Sequence, residues 1–263
     1  RYHHTEHAAL HETGLFATGD WDNMIEIWDP DTGNNINLNE QQAFKDHSSG
    51  YTMESFEFGQ SPEGESLLFS VHEREPPMEG AGEGEGVLSK VLIWNLKTKS
   101  LFVPPVTFGL SSRIKMLKVH KSQFAVMLGD NRVRVGRLRR LRGTVVTLHI
   151  REAPRMDNML LQCMNDTHLV TSGKTVSTRR TLYVWNIMEH PFTLEATLEP
   201  GRRFPGRQFP SYGFQKVSLN GSDLFALHRG GFIQRWQRTS PALPSSSSAK
   251  RRRVSEDGAA GPV

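Results

Sequence analysis

The sequence predicts an all-β chain of repeated four-stranded antiparallel units, and three observations predict it. A turn, an alternating apolar strand and a Trp-Asp or Trp-Asn pair recur along the chain: DNMIEIWDP (22–30), SKVLIWNL (89–96), DNRVRVGRL (130–138), RTLYVWNI (180–187) and GGFIQRWQR (230–238). The aligned positions Trp28, Trp94, Gly136, Trp185 and Trp236 stand 66, 42, 49 and 51 residues apart, and a period of 40–50 residues reads as propeller blades. Further alternating stretches flank each copy, and no segment shows a helical period.

The second strand of each unit is LFATGD (15–20), LLFSVH (67–72), QFAVML (123–128), HLVTSG (168–173) and DLFALH (223–228). First strands are expected at 54–58, 113–119, 158–164 and 214–219, and fourth strands at 36–39, 100–103, 143–150 and 192–198. The long first interval holds VHEREPPMEGAGEGEGVLSK, a Pro/Gly/Glu run without apolar periodicity that reads as an acidic loop insertion over 72–90.

These residues resemble the WD-repeat family of β-propellers, strongly in the first two units and loosely over the rest of 1–238. In that family a His, a Ser or Thr on the second strand, a turn Asp and the Trp of the third strand hydrogen-bond together. The resemblance assigns such places to Thr18, Asp22 and Trp28 in the first unit, with His3 or His4 at the His distance. In the second it assigns them to His47 after Asp46, Ser70 and Trp94; later units keep Asp130, Trp185 and Trp236. Trp28 is expected to be buried, with its N–H on a partner such as Thr18. The Asp and Trp residues of 15–33 are thus hairpin parts rather than a catalytic pair.

Trp236 is followed by QRTSPALPSSSS, which is not a strand, so the last blade is expected to lack its fourth strand. In the family the N-terminus supplies that strand and hides the sheet edges. This chain starts at the innermost strand of the first unit, without a methionine. The expectation is a propeller incomplete at its N-terminus, with a five-bladed ring and an imperfect seam as the alternative.

Sheet topology sends second-to-third hairpins and inter-blade links out at one end of the ring. That gathers GKTVSTRRT (173–181) and PGRRFPGRQFPSYG (200–213), bringing Lys174, Arg179, Arg180, Arg202, Arg203 and Arg207 together beside Phe204, Phe209 and Tyr212. Guanidinium forks among aromatics suit an acidic or phosphorylated peptide. A solvated rim is the plainer reading of any one arginine. At the opposite end RVRVGRLRRLRG (132–143) puts Arg132 and Arg134 on one exposed strand face, with Arg137, Arg139, Arg140 and Arg142 near a turn. It could meet nucleic acid, or its arginine stems could cover apolar surface beside Leu138 and Leu141.

Net charge is +4, half of it in a tail rich in Ser, Pro and Ala, so phosphate neutralisation by the body of the chain is weakly supported. Residues 1–240 are assigned to the propeller and 241–263 to a disordered tail. Its cluster Lys250, Arg251, Arg252 and Arg253 reads as a nuclear-localisation signal for an importer, predicting a nuclear or nucleocytoplasmic protein. Phosphorylation of Ser255 would add negative charge beside it. The single cysteine, Cys163, points to a reducing compartment. No apolar run is long enough to cross a bilayer, and no membrane partner is expected. His3, His4, His7 and His11 lack the spacing of a metal set, the Gly-Glu run at 79–86 lacks the Lys-Ser/Thr of a phosphate loop, and no nucleophile constellation can be assembled. No metal, cofactor or catalytic site is expected. The function expected is a non-enzymatic scaffold or substrate receptor, in one version the receptor of a cullin-type ubiquitin ligase with an F-box elsewhere, an analogy without an F-box in these residues.

Overall fold

A computed structural model describes residues 7–11, 13–19, 24–38, 40–48, 50–74, 89–108, 113–140, 146–152, 159–174, 180–188, 191–198, 214–220, 223–228 and 233–237. Five antiparallel sheets follow one another along the chain. Blade one is β1 (His7–Leu10), β2 (Phe16–Gly19), β3 (Ile25–Trp28) and β4 (Asn35–Asn37). Blade two is β5 (Thr52–Gln60), β6 (Ser66–Glu73) and β7 (Ser89–Asn95), with β8 (Ser100–Leu101) and β9 (Val106–Thr107) both pairing β7 as a divided fourth strand. Blade three is β10 (Ile114–His120), β11 (Gln123–Leu128), β12 (Val133–Arg140) and β13 (Val146–Glu152). Blade four is β14 (Met159–Met164), β15 (His168–Lys174), β16 (Arg180–Asn186) and β17 (Thr193–Leu198). Blade five has three described strands, β18 (Phe214–Asn220), β19 (Asp223–His228) and β20 (Ile233–Gln237); residues 238–263, on which the expectation about its fourth strand falls, lie outside the described residues.

Two expectations need correction. A short helix, α1 (Gln42–Ser48), joins blades one and two. Its two turns are too few for an amphipathic period to show; what holds it is Phe44, buried 5.3 Å from the ring of Trp94 and 6.0 Å from that of His72. The insertion is also shorter than 72–90. His72, Glu73, Ser89 and Lys90 are paired strand residues, all buried, and only 75–88 lie outside the described residues.

Side chains alternate across each sheet, so every blade has a leading face toward the blade before it and a trailing face toward the next. The core is the set of contacts between them. Ala17, Ile25 and Ile27 trail blade one and meet Phe56, Leu68, Leu92 and Trp94. Phe69, Val91 and Ile93 meet Ile114, Phe124 and Val126. Ala125, Met127, Val133 and Val135 meet Leu161, Leu169 and Trp185. Val170 and Leu182 meet Phe214, Val217, Leu224 and, half-buried, Trp236. The first strands line the inside, with β1 against β5, β5 against β10, β10 against β14 and β14 against β18. No extensive packing joins β18 to β1 among the described residues.

Carboxylates stitch the middle joints. Glu57 of β5 pairs with the Lys118 ammonium and accepts the backbone N–H of Val119 at 2.7 Å. Glu73 of β6 accepts Arg113 Nε at 2.7 Å, the N–H of Ile114 at 3.0 Å and Ser89 Oγ at 3.2 Å. Asp166, between β14 and β15, accepts Lys121 Nζ at 2.7 Å, while its carbonyl accepts Gln123 Nε2 at 3.1 Å.

Candidate functional site

The tryptophan network belongs to the framework, and the strand register explains which parts of it form. The aligned tryptophan, or Gly136, faces Phe16, Leu68, Phe124, Leu169 and Leu224 on the neighbouring strand. Two residues beyond these stand Thr18, Ser70, Val126, Thr171 and Ala226, so only blades one, two and four carry a hydroxyl there.

The expected bond forms in blade four, where Trp185 Nε1 donates to Thr171 Oγ1 at 3.0 Å with both residues buried. In blade two Ser70 Oγ instead pairs with His72 Nε2 at 3.0 Å, and the buried Trp94 Nε1 has no hydrogen-bond partner. In blade one no bond joins Thr18 to Trp28. Trp28 is 40% exposed, contrary to expectation, because no preceding blade presses on it among the described residues. In blade three the Phe124 ring fills the space an indole would take; a Cβ added at Gly136 would overlap it. Asp130 holds its turn by accepting the N–H of Arg132 at 3.1 Å and its Nε at 2.6 Å. Asp22, His3 and His4 lie outside the described residues, as do the side chains of His7 and His47. Removing the one completed bond with Thr171→Val is expected to cost about 1–2 kcal/mol, since the indole N–H is left buried without an acceptor. Urea unfolding should show that loss and a smaller one when Trp185→Phe is already present.

The partner-binding candidates are placed by backbone alone. Lys174 ends β15 and Arg180 begins β16, directly paired at the tip of the blade-four hairpin. Arg179, Arg202, Arg203 and Arg207 lie outside the described residues, as do the side chains of Lys174 and Arg180 and the tail with Lys250, Arg251, Arg252 and Arg253. β17 ends and β18 begins at the same end of the ring as that hairpin, so the link over 199–213 leaves and returns there.

The opposite basic stretch is better described. Arg132 is bound to Asp130, Arg134 lies 5.8 Å from the Phe108 ring centre, and Arg137 Nη1 reaches Met188 Sδ at 3.7 Å. Leu138 is buried beneath them, and Arg139 is exposed. Arg132 and Arg134 are half-buried, so they form packed stems rather than an open basic face.

Near the ring axis a cleft of about 570 Å³ opens between β1, β5 and β10. Its charged groups are spoken for. Lys118 is on Glu57, Arg113 on Glu73 with Glu54 at 3.8 Å, and Lys115 Nζ reaches Asn131 Oδ1 at 3.4 Å. Lys90 is buried at the joint of blades one and two, and its Nζ sits 3.3 Å from the centre of the Tyr51 ring. Burial brings its pKa down to about 8. Glu73, Lys90 and His72 escaped the sequence reading because they adjoin the Pro/Gly/Glu run. The signal was that polar residues continue the alternation of LLFSVHE and SKVLIWN. Among the described residues, no group of three or more His, Cys, Asp or Glu could hold a metal ion.

No family model matches the chain, and no curated protein matches it. Among solved structures, the Dos1 propeller matches over 89% of this chain and 57% of its own, at 14% identity and a TM-score of 0.52. The fold is a β-propeller. The β-propeller domain of Cps50 (Swd1) from Myceliophteria thermophila also matches, at 12% identity over 88% of this chain and 83% of its own, with a TM-score of 0.46. The present propeller thus spans little more than half the length of the Dos1 propeller.

Proposed function

We propose that this propeller is a non-enzymatic protein-interaction scaffold or substrate receptor that takes acidic or phosphorylated segments on its hairpin-and-link end, through the arginines around blade four. The observation that carries the reading is the pairing of Lys174 with Arg180 at the tip of the β15–β16 hairpin, at the end of the ring from which the Arg202, Arg203 and Arg207 link departs. Two neighbouring basic connections supply several guanidinium forks to one ligand, which favours phosphate or carboxylate over neutral peptides. The Ser70–His72 pair is wholly buried and serves the core.

Lys250 to Arg253 would carry the protein to the nucleus through an importer. A place in a ubiquitin ligase is the version in which the bound segment is a degradation substrate; it rests on family analogy. Fluorescence anisotropy with labelled phosphopeptide and unphosphorylated libraries tests the reading. Saturable phosphopeptide binding is expected, weakened at least about tenfold by Arg202→Ala with Arg203→Ala, the scale of one lost charge-assisted contact. Steeply salt-dependent oligonucleotide binding, lost on Arg139→Ala with Arg140→Ala, would move the assignment to nucleic acid.

A further inference from the structure

Side chains alternate along β12, and the face that carries Val133 and Val135 into the joint with blade four continues toward the β12–β13 turn as Arg137 and Arg139. Arg151 of β13 stands directly opposite Val135 and so joins them on that face. At the first two joints the corresponding outer-strand residue is apolar and packs on the core. Ile36 stands there opposite Ile27, and Phe102 stands beside Ile93, donating its N–H to the Ile93 carbonyl at 2.7 Å. Blade three puts a guanidinium in that place.

Across the joint, the leading face of blade four presents apolar surface. Leu194 of β17 stands opposite the buried Trp185 yet is 47% exposed, and Met188, just after β16, is 46% exposed. Ile187 and Phe192 are buried in the same joint. Arg137 Nη1 reaches the Met188 sulfur at 3.7 Å and Arg151 Nη1 donates to the Met188 carbonyl at 3.1 Å, so two of the arginines already span the groove. Arg139 is exposed. Among the described residues no ion pair joins any of the three to a carboxylate. Asp166 is held by Lys121, with His120 and Arg137 adding attraction.

An extended chain sends successive side chains to opposite sides. A segment that alternates acidic and aliphatic residues can therefore set carboxylates on the guanidinium wall and an aliphatic side chain on the apolar wall at once. A nucleic-acid strand held through its phosphates would leave the apolar wall uncovered. We propose that the groove between β13 and β17 receives an extended acidic peptide with an aliphatic anchor, its carboxylates on Arg137, Arg139 and Arg151 and the anchor against Leu194 and Met188. The groove lies at the far end of β16 from the Lys174–Arg180 pair, so it is a second site and does not rest on the arginines around blade four.

Fluorescence anisotropy on the 263-residue chain tests it with three labelled probes. The first is a peptide of about ten residues, long enough to run the length of β13, made of glutamates around a central leucine. The second has serine for that leucine, and the third is a single-stranded oligonucleotide of equal charge. The leucine peptide should bind saturably and the serine peptide about fivefold more weakly. Arg139→Glu should weaken the leucine peptide about tenfold, and Leu194→Ser should erase the difference between the two peptides. The preference for leucine should persist in Arg202→Ala with Arg203→Ala. Equal binding of the two peptides to the wild-type chain, a leucine preference unchanged by Leu194→Ser, or an oligonucleotide bound as tightly as the leucine peptide would each overturn the assignment. Loss of all peptide binding on Arg202→Ala with Arg203→Ala would overturn it too, while upholding the site at the opposite end.

Discussion

Replacing Glu73 with alanine is expected to cost about 2–4 kcal/mol of folding stability, because it strips the acceptor from a backbone N–H and a hydroxyl that stay buried. The donors are Ile114 N–H and Ser89 Oγ, and Arg113, itself largely exposed, loses its ion pair. Glu73→Gln keeps an acceptor oxygen and should lose less than half as much in urea titrations. Burial raises the Glu73 pKa above its ordinary 4.5, with the nearby Arg113 opposing and Glu54 reinforcing the shift. An acid whose folded pKa is raised binds more protons folded than unfolded. Wild-type stability relative to Glu73→Gln should therefore fall as pH climbs from 4.5 through the folded value.

Lys90→Met is expected to act in the opposite direction, stabilising the protein by about 2 kcal/mol at neutral pH. Moving the ammonium pKa from 10.5 to about 8 corresponds to roughly 3 kcal/mol of unfavourable burial, of which the Tyr51 ring face returns about 1. Methionine keeps the length and apolar volume of the stem without the charge. Between pH 8 and 10.5 the unfolded chain still holds the proton that the folded chain has released, so wild-type stability should rise with pH across that window. The Lys90→Met variant should be flat there by comparison, and thermal unfolding at pH 7, 8.5 and 10 reads the difference.

Alternation made the strands legible. β11 and β19 fall on the predicted residues, and the second, third and fourth blades carry their first strands within two residues of expectation. What the sequence could not convey depends on neighbours rather than on local pattern. Trp28 and Trp185 look alike in sequence, yet one is exposed and the other buried, because among the described residues only the second has a blade in front of it. Ser70 carries the right hydroxyl, but His72 two residues on takes it, a competition decided by side-chain packing under Phe44. Arg134 reads as solvent-facing by alternation, but a fourth-strand turn brings Phe108 beneath it. For the candidate site, topology settles which end of the ring the two basic connections share, while most of their arginines lie outside the described residues.

The bonds of Glu57, Glu73 and Asp166 all fall at the joints between blades two and three and between three and four. No ion pair of the described residues crosses the first joint or the last. Amide exchange should accordingly be slowest in β6, β7, β11 and β12, and local opening should begin at the outer blades and travel inward. A partner gripping blade four would then hold the protein beside its most persistent region, and pulling on either outer blade would peel away sheets before the grip was disturbed.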